Sequence, residues 1–138
     1  SQSSPLTGAV VVTTPQDIAL IDAKKGLKMF EKVNVPLLGI VENMSVFICP
    51  CCGEVTHIFG EGGAKRMSEQ YGVPMLGELP LSPAIREAAD SGRPTVAAEP
   101  ESAAAKMYRA IAMKIAGSIA KLGKDYTARM PTISVKND

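Results

Sequence analysis

The segment GAVVVTTPQD (residues 8–17) decides the fold. It opens with a continuous run of β-branched residues, the pattern of a strand that is buried on both faces of a sheet. For the TPQD that follows, we interpret Thr14 as a helix N-cap, Pro15 as the first helical residue and Asp17 as the acidic partner in a capping box. The segment therefore predicts a buried strand that passes directly into a helix, which extends to about Lys32.

The rest of the sequence repeats this alternation of strand and helix. Two further apolar runs, at 35–44 and 73–80, predict buried strands. Glycine and proline punctuation predicts helices within 60–72 and 82–92. A long helix is predicted over 102–122, with one apolar face formed by Met107, Ile111, Ile115, Ile119 and Leu122. Alternating strands and helices predict an α/β fold, a partial parallel sheet with flanking helices.

Length and composition exclude several classes of partner. A chain of 138 residues, 46% apolar and 21% charged, is typical of a globular domain with a real core. Fifteen basic and fourteen acidic side chains leave a net charge of +1, so no nucleic-acid surface is expected. No apolar run approaches the roughly 20 residues of a membrane span, and no membrane partner is expected. Three clustered cysteines make no disulfide framework and favour a reducing, cytoplasmic setting.

The segment FICPCCGEVTHIFG (47–60) holds every cysteine and the only histidine. Cys49 and Cys52 stand in C-x-x-C spacing, which supplies two of the four ligands of a tetrahedral metal site. The alternatives are two cysteines packed as small apolar residues, a C-x-x-C disulfide, or a shared metal site. Neighbouring side chains tend to point apart, so we interpret Cys51 as a bystander. His57 would still leave a single-chain zinc site one ligand short, and we favour a local packing or hydrogen-bonding role.

Taken together, the motifs resemble the Mrp/ApbC family of iron–sulfur cluster carriers. These proteins are deviant P-loop ATPases related to MinD and to the nitrogenase iron protein. The resemblance rests on the opening strand–helix–strand, the C-P-x-C loop, and the segments HIFGEGGA (57–64), GELPLSPAIREAADSGRPTV (77–96) and PES (100–102). It runs from about Leu6 to Leu122. It implies a P-loop NTPase fold of the MinD and nitrogenase-iron-protein type.

One family motif does not occur in this sequence. No stretch matches the P-loop G-x-x-x-x-G-K-[ST], which in the family lies in the half preceding this segment. The resemblance therefore implies that residues 1–122 are the C-terminal half of an ATPase domain, with a C-x-x-C loop at 44–60 (hereafter the cysteine loop). Residues 123–138 are expected to be a poorly ordered tail or an edge strand. ATP and Mg²⁺ are expected for the full-length protein, whereas this half alone should be inactive.

The resemblance also implies ligands and partners. In the family, the two cysteines matching Cys49 and Cys52, contributed by each of two subunits, hold a 4Fe–4S cluster across a two-fold axis. A homodimer through the cysteine loop and transfer of the cluster to apoproteins are thus expected. Four thiolates equally suit a structural zinc shared between subunits, which would make the chain an interaction module. A ParA- or MinD-like positioning ATPase is a further alternative.

Three more residues are candidates for contacts with a nucleotide base. Asn43 ends the second predicted strand, where ligands of open α/β sheets bind. In the wider ATPase superfamily an asparagine here reads the adenine edge, and the alternative is an Asx turn that ends the strand. Pro80 and Leu81 match the family segment that packs against the base, and a plain turn is the alternative for them.

Overall fold

The computed structural model of the chain describes residues 6–129, in which strands and helices alternate. In chain order the elements are β1 (Ala9–Thr13), α1 (Asp17–Lys32), β2 (Leu37–Glu42), β3 (Phe47–Ile48), β4 (Val55–Thr56), α2 (Gly63–Tyr71), β5 (Met75–Glu78), α3 (Pro83–Asp90), α4 (Thr95–Ala98) and α5 (Ala103–Arg129). None of the helices within residues 6–129 is long and apolar enough to cross a membrane.

Strands β1, β2 and β5 form a parallel sheet in the order β1-β2-β5. Helices α1 and α2 cover one face, where the core consists of Val11, Leu20, Ala23, Leu27, Ile40, Ala64, Met67 and Val73. Helix α5 covers the other face through a core of Val41, Leu76, Leu79 and Ile111. Strand β2 supplies buried side chains to both faces, which explains its uninterrupted apolar run. The predicted α/β class with flanking helices is confirmed.

The predicted capping box at the start of α1 is wrong. The helix begins at Asp17, and its N-cap is Gln16, which is still extended with φ −63° and ψ 137°. The Thr14 hydroxyl donates to the Gln16 side-chain Oε1 at 3.1 Å and caps no backbone N–H. The extended backbone thus continues two residues beyond Thr14, and the first helical bond joins the Leu20 N–H to the Gln16 carbonyl at 3.0 Å.

Helix α5 differs from its prediction in length and in the face that it buries. It continues seven residues past Leu122, to Arg129. The possible edge strand at 132–135 lies outside the described residues. Ile111 is buried, whereas Met107 and Ile119 are 40% and 41% exposed. In a helix of 3.6 residues per turn, each step of four residues goes about 40° beyond one full turn. Side chains spaced by four therefore drift around the helix, and those at the two ends of the series no longer face the sheet.

Two small features of the fold were not predicted. One is the antiparallel pair β3–β4, and the other is the single turn of α4. Strands of two residues and a single helical turn are too short to show a hydrophobic period. The β3–β4 hairpin matters most because it carries the cysteines.

Candidate functional site

A short hairpin presents the cysteines at its tip. Strands β3 and β4 pair antiparallel just before and after the C-x-x-C motif. The Cys49 N–H donates to the Glu54 carbonyl at 2.9 Å, and the Gly53 N–H donates back to the Cys49 carbonyl at 2.8 Å. Gly53 has φ +76°, a left-handed conformation that costs glycine nothing. The turn is therefore closed by backbone bonds that do not depend on the cysteine side chains.

The turn also directs backbone donors at the first cysteine. The backbone N–H groups of Cys52 and then Cys51 stabilise the Cys49 thiolate and lower the pKa of that thiol, with smaller contributions from the two neighbouring thiols, and together they outweigh the opposing effect of burial. Cys49 is half-buried, Cys51 and Cys52 are exposed, and all three are free thiols. The thiolate is the form that binds metals and acts as a nucleophile. The hairpin tip thus favours thiolate chemistry at a surface.

The described part of the chain does not assemble a metal site on its own. Within residues 6–122, whose side chains the structure describes, no three or more His, Cys, Asp or Glu side chains are placed to hold a metal ion together. His57 pairs instead with Glu61, with Nε2 and Oε1 3.8 Å apart on the surface. This geometry fits the local role expected for His57. Among the residues whose side chains the structure describes, no third candidate ligand therefore joins Cys49 and Cys52.

Asn43 stands where β2 turns into the cysteine loop. Its Oδ1 accepts the Met44 N–H at 2.9 Å, and its own N–H donates to the Thr13 carbonyl at 2.7 Å. The backbone of Met44 is in the left-handed region, with φ +54°, which is uncommon for residues other than glycine. The amide oxygen of Asn43 thus accepts from the next residue, whereas an Asx turn would take the Ser45 N–H, which donates to the Leu79 carbonyl at 3.0 Å. The residue also lines a groove of about 470 Å³ beside β1 and α1.

Pro80 and Leu81 lie in a different pocket, next to the cysteines. This pocket of about 500 Å³ is also lined by Ile48 and Pro50, the two residues that flank Cys49. The Leu81 N–H donates to the Val46 carbonyl at 2.8 Å. All three candidate base-contacting residues follow the carboxyl ends of β2 and β5. The structure joins Pro80 and Leu81 to the cysteine loop but does not place Asn43 in the same pocket.

Sequence reasoning missed Glu42, the last residue of β2. Its side chain is only 2% exposed. Oε1 accepts the Ser45 hydroxyl at 2.8 Å, and Oε2 accepts the Ala64 N–H at 3.0 Å. An acidic residue closing an all-apolar strand was the available signal, because glutamate is rarely fully buried unless it is paired.

Comparison with known proteins agrees with the resemblance seen in the sequence. An iron–sulfur cluster carrier protein of Escherichia coli (strain K12) is 57% identical over 119 residues, which are 86% of this chain and 32% of that protein. The Mus musculus iron–sulfur cluster transfer protein NUBPL is 54% identical over 115 residues, 83% of this chain and 36% of that protein. The chain spans about a third of the length of these relatives.

Two solved structures share the fold. The Pyrococcus furiosus cell division ATPase MinD superposes with a TM-score of 0.59 at 31% identity, over 84% of this chain and 43% of that one. A nucleotide-binding protein from Archaeoglobus fulgidus, solved in complex with ADP, superposes with a TM-score of 0.57 at 38% identity, over 70% of this chain and 38% of that one. A family model described as ParA, NUBPL iron-transfer P-loop NTPase, matches residues 1–116. The chain therefore belongs to the ParA family of NUBPL iron-transfer P-loop NTPases.

Proposed function

We propose that this chain carries a labile 4Fe–4S cluster as cargo and passes it to apoproteins. Cys49 and Cys52 supply two thiolate ligands, and the same two cysteines of a second copy supply the others. The chain acts as the C-terminal half of an ATPase domain, residues 1–122. In the whole protein, ATP and Mg²⁺ control the geometry of the two subunits.

The observation that carries this proposal is the two-ligand half-site. A 4Fe–4S cluster is held by four cysteine thiolates. Cys49 and Cys52 are presented at a hairpin tip, and no third ligand joins them among the described residues. A two-fold axis through that tip brings together two identical pairs, since a symmetric dimer places the same patch on both sides. Two copies thus complete the set of four.

The surface around the cysteines supports an interface there. Ile48, Val55 and Ile58 are 48%, 54% and 51% exposed. They lie within or next to the hairpin whose tip carries Cys49 and Cys52. Exposed apolar side chains grouped around a functional group are typical of association surfaces. A second copy docked at the hairpin would cover them while it completes the metal ligands.

The comparisons support iron–sulfur cargo and a nucleotide in the whole protein. The relatives are named for carrying or transferring iron–sulfur clusters, and one structural neighbour was solved with ADP. We propose, from the family resemblance, that Asn43, Pro80 and Leu81 contact the nucleotide base in the whole protein, although this sequence contains no P-loop to bind the phosphates. The free thiols suit a reducing compartment, which we take to be the cytoplasm.

Anaerobic reconstitution with iron and sulfide tests the proposal. We expect about four iron and four acid-labile sulfide per two chains, with visible thiolate-to-iron absorption. A parallel sample receives zinc alone, and both are analysed for metal after desalting. Cluster uptake supports the carrier function. Retention of zinc without any iron–sulfur chromophore would replace it with the alternative of a structural zinc between subunits.

A further inference from the structure

Glu42 is a buried carboxylate that the proposed chemistry does not use. It ends β2, one residue before the chain leaves the sheet, and is nearly inaccessible to solvent. Burying a carboxylate is costly unless hydrogen bonds replace its water. Both of its oxygens are engaged, one by Ser45 and the other by Ala64. Each oxygen of the buried group therefore has one hydrogen-bond partner within the protein.

These two partners lie at opposite ends of the cysteine loop. Ser45 is near its beginning, directly after the left-handed turn at Met44. Ala64 lies just beyond its end, in the first turn of α2. A single side chain thus links the segment that enters the loop to the helix that follows it. The bond to Ala64 is charge-assisted, because a carboxylate accepts from a helix N-terminus.

The first turn of α2 is itself held firmly against α1. A Cβ on Gly63 would lie 2.5 Å from Leu20 Cδ1 and 3.1 Å from the Pro15 carbonyl oxygen. The backbone of α2 at Gly63 therefore packs so closely on Leu20 of α1 and on Pro15 that a side chain has no room there. Gly63 and Ala64 are both buried. The carboxylate of Glu42 therefore connects the loop to a fixed point in the core.

We propose that Glu42 is a positioning residue for the cysteine loop. Its carboxylate fixes the two ends of the loop relative to the sheet and so sets the direction in which the hairpin presents Cys49 and Cys52. This role rests on the proposed function, because direction matters only if the cysteines must meet those of a second copy. If the loop held Cys49 and Cys52 loosely, the two thiolates would be correctly oriented in only a fraction of the encounters between two copies.

Four variants of the chain test this role. Glu42→Ala removes both hydrogen bonds, and Ser45→Ala removes one. Glu42→Gln keeps the shape, since its amide oxygen can accept from Ala64 while its NH₂ donates to the Ser45 hydroxyl. Ser68→Ala is the matched control, because it deletes a hydroxyl bond to the Val73 carbonyl at the other end of α2.

Hydrogen exchange and cysteine alkylation are measured on the metal-free chain. Cluster content is measured after anaerobic reconstitution. Glu42→Ala should speed exchange of the Ala64 amide about tenfold or more, Ser45→Ala several-fold, and Glu42→Gln only slightly. Alkylation of Cys49 relative to Cys51 should change in the same order, and Glu42→Ala should lower cluster content about twofold or more. Ser68→Ala should leave the alkylation ratio and the cluster content at the wild-type values.

The contrary results are distinct. If Ser68→Ala reproduces the changes of Ser45→Ala, Glu42 contributes only general stability and the positioning role is overturned. The role is also overturned if Glu42→Gln and Ser45→Ala match the wild type in all three measurements, whether or not Glu42→Ala folds. Failure of the wild-type chain to take up any cluster would refute the proposed function instead. The exchange measurement, made without metal, would still report whether Glu42 holds the loop.

Discussion

Cys49 has a local environment that favours the thiolate form of its side chain. The spacing of Cys49 and Cys52 could be read directly from the sequence, and it pointed to a pair of ligands. The backbone N–H groups that lower the pKa of Cys49 could not be predicted, because they depend on how the turn at Pro50 and Gly53 closes. Hydrogen bonds to a thiolate stabilise its charged form. The turn therefore favours the thiolate, which is the form of cysteine that binds metals.

This environment predicts the pH dependence of Cys49 alkylation. The test uses the metal-free double variant Cys51→Ser, Cys52→Ser, which retains both backbone donors. Only the thiolate reacts, and a lowered pKa means that the thiolate persists at lower pH. The midpoint of the rate–pH curve should therefore lie lower for the folded protein than for the same variant unfolded in urea. Equal midpoints in the two states would show that the fold does not stabilise this thiolate.

The three cysteines should differ when they are replaced singly. Cys51→Ser should keep cluster content near the wild-type value, because Cys51 is not a ligand in the proposed site. Cys49→Ser and Cys52→Ser should each abolish it, since the dimer would retain only two of four thiolates. Iron and acid-labile sulfide per two chains measure the effect. Equal loss in all three variants would overturn this assignment of ligands.

At the level of helices and strands, the long elements could be predicted and the short ones could not. The apolar runs predicted β1, β2 and β5, but burial on both faces holds only for the central strand β2. Strand β1 lies at an edge of the sheet and its Val12 is 62% exposed, so the expectation that β1 is buried on both faces is wrong. The β3–β4 hairpin was missed because each of its strands has two residues. The capping box failed for another reason, since its pattern was present but the Thr14 hydroxyl bonded to a side chain. Local patterns cannot reveal such competing partners.

The packing of α2 on α1 predicts opposite effects for two glycine substitutions. Gly63→Ala places a methyl group against Leu20 and the Pro15 carbonyl, and we expect a loss of about 1–3 kcal/mol in the free energy of unfolding. Gly26→Ala, within α1, meets nothing within 4 Å and should stabilise the protein by about 0.5–1 kcal/mol. Urea denaturation followed by circular dichroism compares them. A neutral Gly63→Ala would contradict the close approach described for the two helices.

On the scale of the whole molecule, the sequence predicted the fold class but only part of the candidate site. The cysteine pair could be proposed as ligands because metal sites require fixed spacing. Glu42 could not be proposed, because its hydrogen bonds depend on Ser45 and on Ala64, which lies 22 residues away along the chain. Pro80 and Leu81 were expected at a nucleotide base from the family resemblance, and the sequence could not show that the fold places them beside Ile48 and Pro50. Tertiary structure, not local pattern, brings these segments together.

Native mass spectrometry of the anaerobically reconstituted chain tests whether two copies share one cluster. We expect a species with the mass of two chains plus one 4Fe–4S unit, which separates into single chains when a chelator removes the iron. Cys51→Ser should give the same species, and Cys49→Ser should not. A single chain that carries a complete cluster, or a cluster-bound dimer that survives in Cys49→Ser, would refute the shared site.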